Sequence, residues 1–228
     1  MTGAHYYGFP SPDSDLDLKG IHAAPTQVVV SLSPPPDTVD WLGVHDGIEV
    51  DYTSHELATA LRLLLKGNGN ILERILSPFQ ALESDEASEL QTLARASVSR
   101  KFFHHYRGFF GRMCQDWRLA EPRTIKGLLY AYRSGLTGVH LLRTGACIGD
   151  ATELAPLYGF ARVAELAARK RSGSEKGALG SREDFEPDLV RLEALLNEAK
   201  EVSTLPAEPT SGDALNEFLI RVRRQRFQ

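Results

Sequence analysis

The chain has little cysteine, no long apolar run and no excess of positive charge, and each shortage closes off a class of protein. Cys114 and Cys147 are the only cysteines in 228 residues. They form no Cys-x-x-Cys pair and stand in no Cys/His cluster of zinc-finger spacing, which excludes a disulfide-built scaffold and a zinc module. The expectation that remains is two reduced, mostly buried thiols in a cytoplasmic protein. No segment approaches the ~20 apolar residues of a membrane span. The N-terminus lacks the basic stretch followed by an apolar one that marks a signal peptide, so no membrane partner is expected. Lys and Arg number 26 against 30 Asp and Glu, a formal net charge of −4. A polyanion would therefore have to meet a local basic patch rather than the chain as a whole. What is present is ordinary for a globular protein, 42% hydrophobic and 25% charged, and the length suits one large domain or two small ones.

Asp15 to His22 alternates, with Leu16 and Leu18 on one face and Asp15 and Asp17 on the other. Gln27 to Leu32 contains the β-branched run Val28-Val29-Val30, which reads as a strand ended by Ser33 to Pro36. Gly47 to Thr53 alternates again, Ile48, Val50 and Tyr52 against Glu49 and Asp51. Ser54 is placed to cap a helix from about His55 to Lys66. Gly67-Asn68-Gly69-Asn70 ends that helix, and Ile71 to Leu76 reads as a short one. Beyond residue 80 the period turns helical. Helices are predicted over Ser84–Arg107, Glu121–Thr144, Thr152–Lys170, Asp188–Val202 and Gly212–Phe227, with a Gly- and Ser-rich loop over Arg171–Gly180. The fold class predicted is α+β: a small mixed β-sheet core in residues 1–80, then a helical bundle domain in 81–228, with the boundary at Ser77-Pro78.

Two carboxylates at i and i+2 of a strand point the same way. Asp15 and Asp17 would repel unless a cation neutralised them, and a hard divalent ion with oxygen ligands, Mg²⁺ or Mn²⁺, is the natural partner. Asp51, on a second alternating strand, is the candidate third carboxylate, with Glu49 on the same face as the fallback. Three such acids can hold two metals that clamp an in-line phosphoryl displacement. Upstream, Gly3-Ala4-His5-Tyr6-Tyr7-Gly8 is a polar-aromatic turn bracketed by glycines, whose backbone N–H groups can cradle a triphosphate.

Gly3-Ala4 followed by Asp15-Leu16-Asp17 resembles the Gly-Ser…Asp-x-Asp signature of the DNA polymerase β-like nucleotidyltransferase superfamily. Gly3-Ala4-His5-Tyr6-Tyr7-Gly8, then Ser14-Asp15-Leu16-Asp17-Leu18-Lys19-Gly20, is similar to the predicted nucleotidyltransferase family associated with RNA ligases. Lys66-Gly67-Asn68-Gly69-Asn70, Leu72-Glu73 and the helix with Lys126, Arg133 and Leu142-Arg143-Thr144-Gly145 continue the likeness over about residues 1–160. The resemblance implies that Asp15, Asp17 and Asp51 are metal ligands, Asp51 also acting on the attacking hydroxyl. It implies that Gly3 and the backbone around Ala4 hold the phosphates of an NTP. Three departures accompany it. Ala4 stands where the family has Ser, which removes one hydroxyl. Lys19 stands for Arg, which loses the bidentate fork. The helix and strand that the superfamily carries ahead of the phosphate turn have no counterpart among these residues. The reaction implied is transfer of a nucleoside monophosphate from NTP to an acceptor hydroxyl, with RNA end processing as context. Two rivals stay open: an antitoxin-type enzyme that adenylylates a protein acceptor, and a non-catalytic nucleotide-binding module.

Lys126, Tyr130, Arg133, Thr137 and His140 recur at steps of three and four, a polar stripe opposite Ile125, Leu128, Leu129 and Leu136. The stripe is either a solvated face or, containing no acid, a surface that turns Lys126 and Arg133 toward nucleotide or acceptor. His5 lies in the phosphate turn and either touches phosphate or faces solvent. The run from Phe102 to Arg112 mixes aromatic and basic residues, as a core helix end or a stacking surface for bases. Asn68 and Glu73 either serve local turn chemistry or buttress the site. Arg221, Arg223, Arg224 and Arg226 read as a helix terminus that suits cations, or as an RNA-binding tail. The oligomeric state is not legible.

Overall fold

The computed structural model describes residues 1–173 and 184–227. In chain order the elements begin with α1 (Gly3–Tyr6), β1 (Leu16–His22), α2 (Thr26–Val29), β2 (Thr38–His45) and β3 (Ile48–Glu56). The helices α3 (Leu57–Leu65), α4 (Gly69–Leu76), α5 (Asp85–Ala96), α6 (Phe102–Leu119) and α7 (Ile125–Thr144) follow. The chain continues with α8 (Ala151–Leu157), α9 (Arg162–Ser172), α10 (Glu186–Val202) and α11 (Gly212–Gln225). The α+β class with a small mixed sheet is therefore observed. The elements group into two compact units: residues 1–2, 15–98 and 209–228 form one, and residues 3–14 and 99–208 the other.

The first unit is built on a three-stranded sheet of order β1-β3-β2. β1 runs parallel to β3, and β2 antiparallel to it. The β2–β3 hairpin turns at Asp46 and Gly47, both with positive φ (50° and 81°). That conformation matches the twist of the flanking strands and is the reason Gly stands there. Val50, Leu57, Leu61, Leu64, Ile71, Leu72 and Ile75 are buried together with Leu215, Phe218 and Val222 of α11. Glu56 caps α3, its carboxylate accepting the Ala58 N–H at 2.8 Å. The same carboxylate, 5% exposed, takes a hydrogen bond of 2.5 Å from Arg223 of α11.

Several local expectations do not hold in the structure. Val28 to Val30 form no strand: Thr26–Val29 is a helical turn whose first residue is tied to α11. The Thr26 N–H donates to the Arg226 carbonyl (3.0 Å) and its hydroxyl to the Arg223 carbonyl (2.6 Å), and this long-range anchor overrides β propensity. Ser54 does not cap α3; it sits within β3 and meets His22 Nδ1 at 2.9 Å. β2 was not foreseen. The Ser84–Arg107 helix is two, α5 and α6, broken where buried Ser97 turns its hydroxyl to that of Ser211 at 2.6 Å.

The second unit is helical, with α7 at its centre. α6, α8, α9 and α10 all pack on α7, and Leu128, Leu129, Tyr132, Leu136 and Val139 are fully buried in its core. Thr124 caps α7 by accepting the Gly127 N–H (3.1 Å), and Gly145 ends it in the left-handed conformation. The Thr152–Lys170 helix is likewise two, α8 and α9, separated by Gly159 with φ 76°. The Arg171–Gly180 loop falls, beyond Gly173, outside the described residues.

Candidate catalytic site

The acids lie in the sheet unit. Parallel pairing sets Asp17 of β1 directly against Asp51 of β3, and partnered residues of adjacent strands share a face. The next pair on that face is Lys19 with Thr53. Lys19 extends its ammonium back over the acids, with Nζ 2.7 Å from Asp51 Oδ2 and 3.6 Å from Asp17 Oδ1. It also donates to Thr53 Oγ1 at 3.3 Å. Asp15 ends the loop that leads into β1. Its charge reaches Asp17, whose carboxyl is held above the ordinary value by burial first, then by Asp15 and Asp51, with Lys19 opposing. The Asp17 carbonyl accepts the Thr2 N–H at 3.0 Å. Among the described residues no group of three His, Cys, Asp or Glu side chains is already assembled around a metal-sized point. Two carboxylates meet instead at an ammonium group. Hard oxygen donors crowded enough to raise the proton affinity of Asp17, with a cation beside them, are chemically suited to Mg²⁺ or Mn²⁺.

The residues predicted to hold nucleotide lie in the helical unit. Gly3 has φ 69° and opens α1. Ala4 is 2% exposed and Gly3 is buried, whereas His5 is half-buried. Tyr6, Tyr7 and Phe9 join the core around α7. Gly8 is required twice over: its φ is +85°, and a Cβ there would come 2.0 Å from Asp150 Oδ1. That oxygen caps α8, accepting the Thr152 N–H at 2.7 Å, while the Ala151 N–H donates to the Tyr7 carbonyl (3.1 Å).

The polar stripe of α7 is not a solvated face. Arg133 is 2% exposed, with its guanidinium 4.0 Å over the Tyr7 ring and 5.7 Å from that of Phe109. Tyr130 meets Tyr7 and Phe9 edge-on. The Thr137 hydroxyl donates to the Ile148 carbonyl (2.9 Å), and His140 meets Tyr158 at 3.0 Å. Lys126, half-buried, lies 5.9 Å from the Tyr130 ring. The structure thus brings Arg133 and the Gly3–Gly8 segment together through Tyr7.

Sequence reasoning missed Lys170. It is 1% exposed and donates to the hydroxyls of Ser11 (3.0 Å) and Ser14 (3.4 Å), in the loop that runs into Asp15. Its position near the end of a predicted helix gave no sign of burial. Other motifs resolve into structure. Asn68 caps α4 through the Ile71 N–H (3.2 Å) and Glu73 is 1% exposed. Phe102, Tyr106 and Phe110 are core residues, and His105 stacks on Phe109. Arg221 pairs with Glu89 and Arg223 with Glu56, so two of the four terminal arginines tie α11 to the sheet unit. No helix among the described residues is long and apolar enough to cross a membrane.

The chain resembles an uncharacterized protein of Methanocaldococcus jannaschii, 27% identical over 143 residues, which cover 60% of this chain and 57% of that protein. The match therefore spans little more than half of that relative's length. It also resembles the uncharacterized protein YcgL of Bacillus subtilis, 27% identical over 229 aligned positions, with 96% of this chain and 86% of the relative covered. No solved structure matches it significantly. A family model described as the RNA repair pathway DNA polymerase beta family matches residues 1–221. The Asp-x-Asp strand, its partner acid and the glycine-bracketed turn all fall inside that match, and the chain belongs to this family of polymerase β-like nucleotidyltransferases.

Proposed function

We propose that the protein transfers a nucleoside monophosphate from an NTP to a hydroxyl group of RNA, releasing pyrophosphate. The observation that carries the reading is Asp17 in register with Asp51, both facing the Lys19 ammonium, with Asp15 close enough to raise the proton affinity of Asp17. Carboxylates crowded in this way are stabilised by extra positive charge. Asp15 and Asp17 would hold Mg²⁺ or Mn²⁺, with Asp51 as the third ligand, and the metal would supply charge neutralisation for the α-phosphoryl group. The acceptor oxygen bonds to the α-phosphorus as the α–β bridging P–O bond breaks, and Asp51 takes the proton of the attacking hydroxyl. Asp51, at 41% side-chain exposure, is the more open of the two strand acids and suits that role. Lys19 holds the acids together before substrate enters.

Gly3, Ala4 and His5 are assigned to the triphosphate, with backbone N–H groups as donors because Ala4 supplies no hydroxyl. Lys126 is assigned to the base or acceptor. Arg133 supports the phosphate segment from within, by stacking on Tyr7. The description of the family as one of an RNA repair pathway supports RNA as the acceptor. The test is pyrophosphate release from each NTP in the presence of RNA ends. Release that depends on added Mg²⁺ or Mn²⁺ and disappears in Asp51→Asn supports the reading. Equal release from Asp51→Asn overturns the role given to that residue.

A further inference from the structure

The outer strand of the sheet carries an open, unguarded edge. Among the described residues β2 pairs only with β3, so its other side is an edge. The Glu56 N–H donates to the Asp37 carbonyl at 2.8 Å, continuing the ladder in which Thr38 opposes His55. In an antiparallel ladder, residues alternate between bonding inward and pointing outward. Asp37 bonds inward, and so therefore do Val39, Trp41 and Gly43. Thr38, Asp40, Leu42 and Val44 direct both their N–H and C=O groups to the open side. Such an edge is ordinarily blunted by Lys, Pro or a bulge. Thr38–His45 contains no Lys, Arg or Pro and pairs without interruption.

The side chains are as unguarded as the backbone. Val39, Trp41, Leu42, Val44 and Ile48 are 43%, 49%, 70%, 70% and 53% exposed. Val39, Trp41 and Ile48 lie on one face of the hairpin and Leu42 and Val44 on the other, so apolar side chains flank the open edge on both sides.

We propose that β2 pairs antiparallel with β2 of a second copy of this chain, joining two three-stranded sheets into one. A two-fold axis normal to the sheet preserves its faces, so only a residue that shares a face with its counterpart can oppose it. Placing Trp41 on the axis sets Asp40 against the partner's Leu42 and Thr38 against the partner's Val44. Every outward N–H and C=O of β2 is then paired. Val39 falls opposite the partner's Gly43, and no like charges meet. The two Trp41 rings oppose each other at a closely spaced, non-hydrogen-bonded position, where aromatic cross-strand pairs contribute most. Each ring leans along its own strand over Gly43, where a Cβ would sit 2.5 Å from the indole, so the two lean in opposite directions and do not collide. The neighbouring register, with Leu42 on the axis, leaves Thr38 opposite the partner's Asp46 in the turn and loses its pairing.

The test uses the full chain at tens of micromolar. Sedimentation should give twice the monomer mass for the wild type and the monomer mass for Leu42→Lys, with circular dichroism and melting otherwise preserved. In a Cys147→Ser background, Trp41→Cys should cross-link on mild oxidation and Leu42→Cys should not; buried Cys114 takes no part. A monomeric wild type, including one that binds a different partner through this strand, overturns the proposal. So does a Leu42→Lys variant that stays dimeric. Cross-linking through Leu42→Cys alone overturns the register.

Discussion

Lys19 is the residue at which the account of the acids is most exposed to measurement. Its ammonium lies 2.7 Å from Asp51 and 3.6 Å from Asp17, so Lys19→Met removes the cation and leaves the carboxylates facing one another. The side chains are 18% exposed for Lys19 and 41% for Asp51. That lies between a surface pair, worth up to ~1 kcal/mol, and a broken buried pair at about 3–5 kcal/mol; solvent screening at Asp51 places the loss at about 2 kcal/mol. For a chain of this size that lowers the melting temperature by about 4–8 °C. The pH dependence has a definite sign. Asp17 is already raised above its ordinary value of 3.8, so the folded state holds its proton more tightly than the unfolded one. Stability on that account falls as pH rises through the folded pKa. Losing Lys19 raises Asp17 further, so the deficit of the variant is full at pH 8 and shrinks toward pH 4. A divalent ion that binds the same acids should restore the variant, since saturation at 100 times Kd contributes ~2.7 kcal/mol. The assay is thermal melting of both proteins across this pH range, with and without millimolar Mg²⁺. A variant that melts like wild type without metal, or gains no more from Mg²⁺ than wild type does, refutes the reasoning.

Gly8→Ala forces a side chain into the Asp150 cap at a positive φ; it should lose about 2–3 kcal/mol in urea titration, and an unchanged midpoint would show that α8 does not constrain the turn. Arg223→Met leaves Glu56 buried without its cation, and should destabilise by about 3 kcal/mol while leaving RNA affinity unaltered, since Arg223 acts as a structural anchor and not as part of a basic tail. Burial pushes the Cys114 thiol up to about 12, so at pH 8 only roughly 1 in 10⁴ copies is thiolate. The sign follows as for Asp17: stability falls as pH climbs from 9 toward 12. A disulfide reagent at pH 8 should titrate one thiol, Cys147, in the native protein and a second only on unfolding.

The strands that carry the acids were legible because period-2 alternation is local. Asp17 and Asp51 are placed by it and their register agrees, whereas Asp15, expected on the same strand, lies in the loop just before β1, which begins at Leu16. The α7 stripe was legible as a pattern but not in its meaning. A polar helix face looks the same whether it meets water or an aromatic turn, and only tertiary packing sets Arg133 on Tyr7. β2 escaped because its apolar residues occupy both faces and break alternation. The Asp46-Gly47 pair, a strong hairpin signal, could have found it. Val28 to Val30 misled because Thr26 is fixed by α11, nearly two hundred residues away. Lys170 was invisible for a related reason: a basic residue near a helix end reads as solvated, whereas here it anchors Ser11 and Ser14.

The central claim, nucleotidyl transfer at Asp15, Asp17 and Asp51, is tested most directly by following an α-labelled NTP onto an acceptor. The full chain would be incubated with each labelled NTP, Mg²⁺ or Mn²⁺, and RNA or protein acceptors, beside the Asp15→Asn/Asp17→Asn double variant. Covalent label is expected on RNA in the wild type and none in the variant. Label on protein in place of RNA would contradict the acceptor assigned here, and transfer undiminished in the double variant would contradict the site itself.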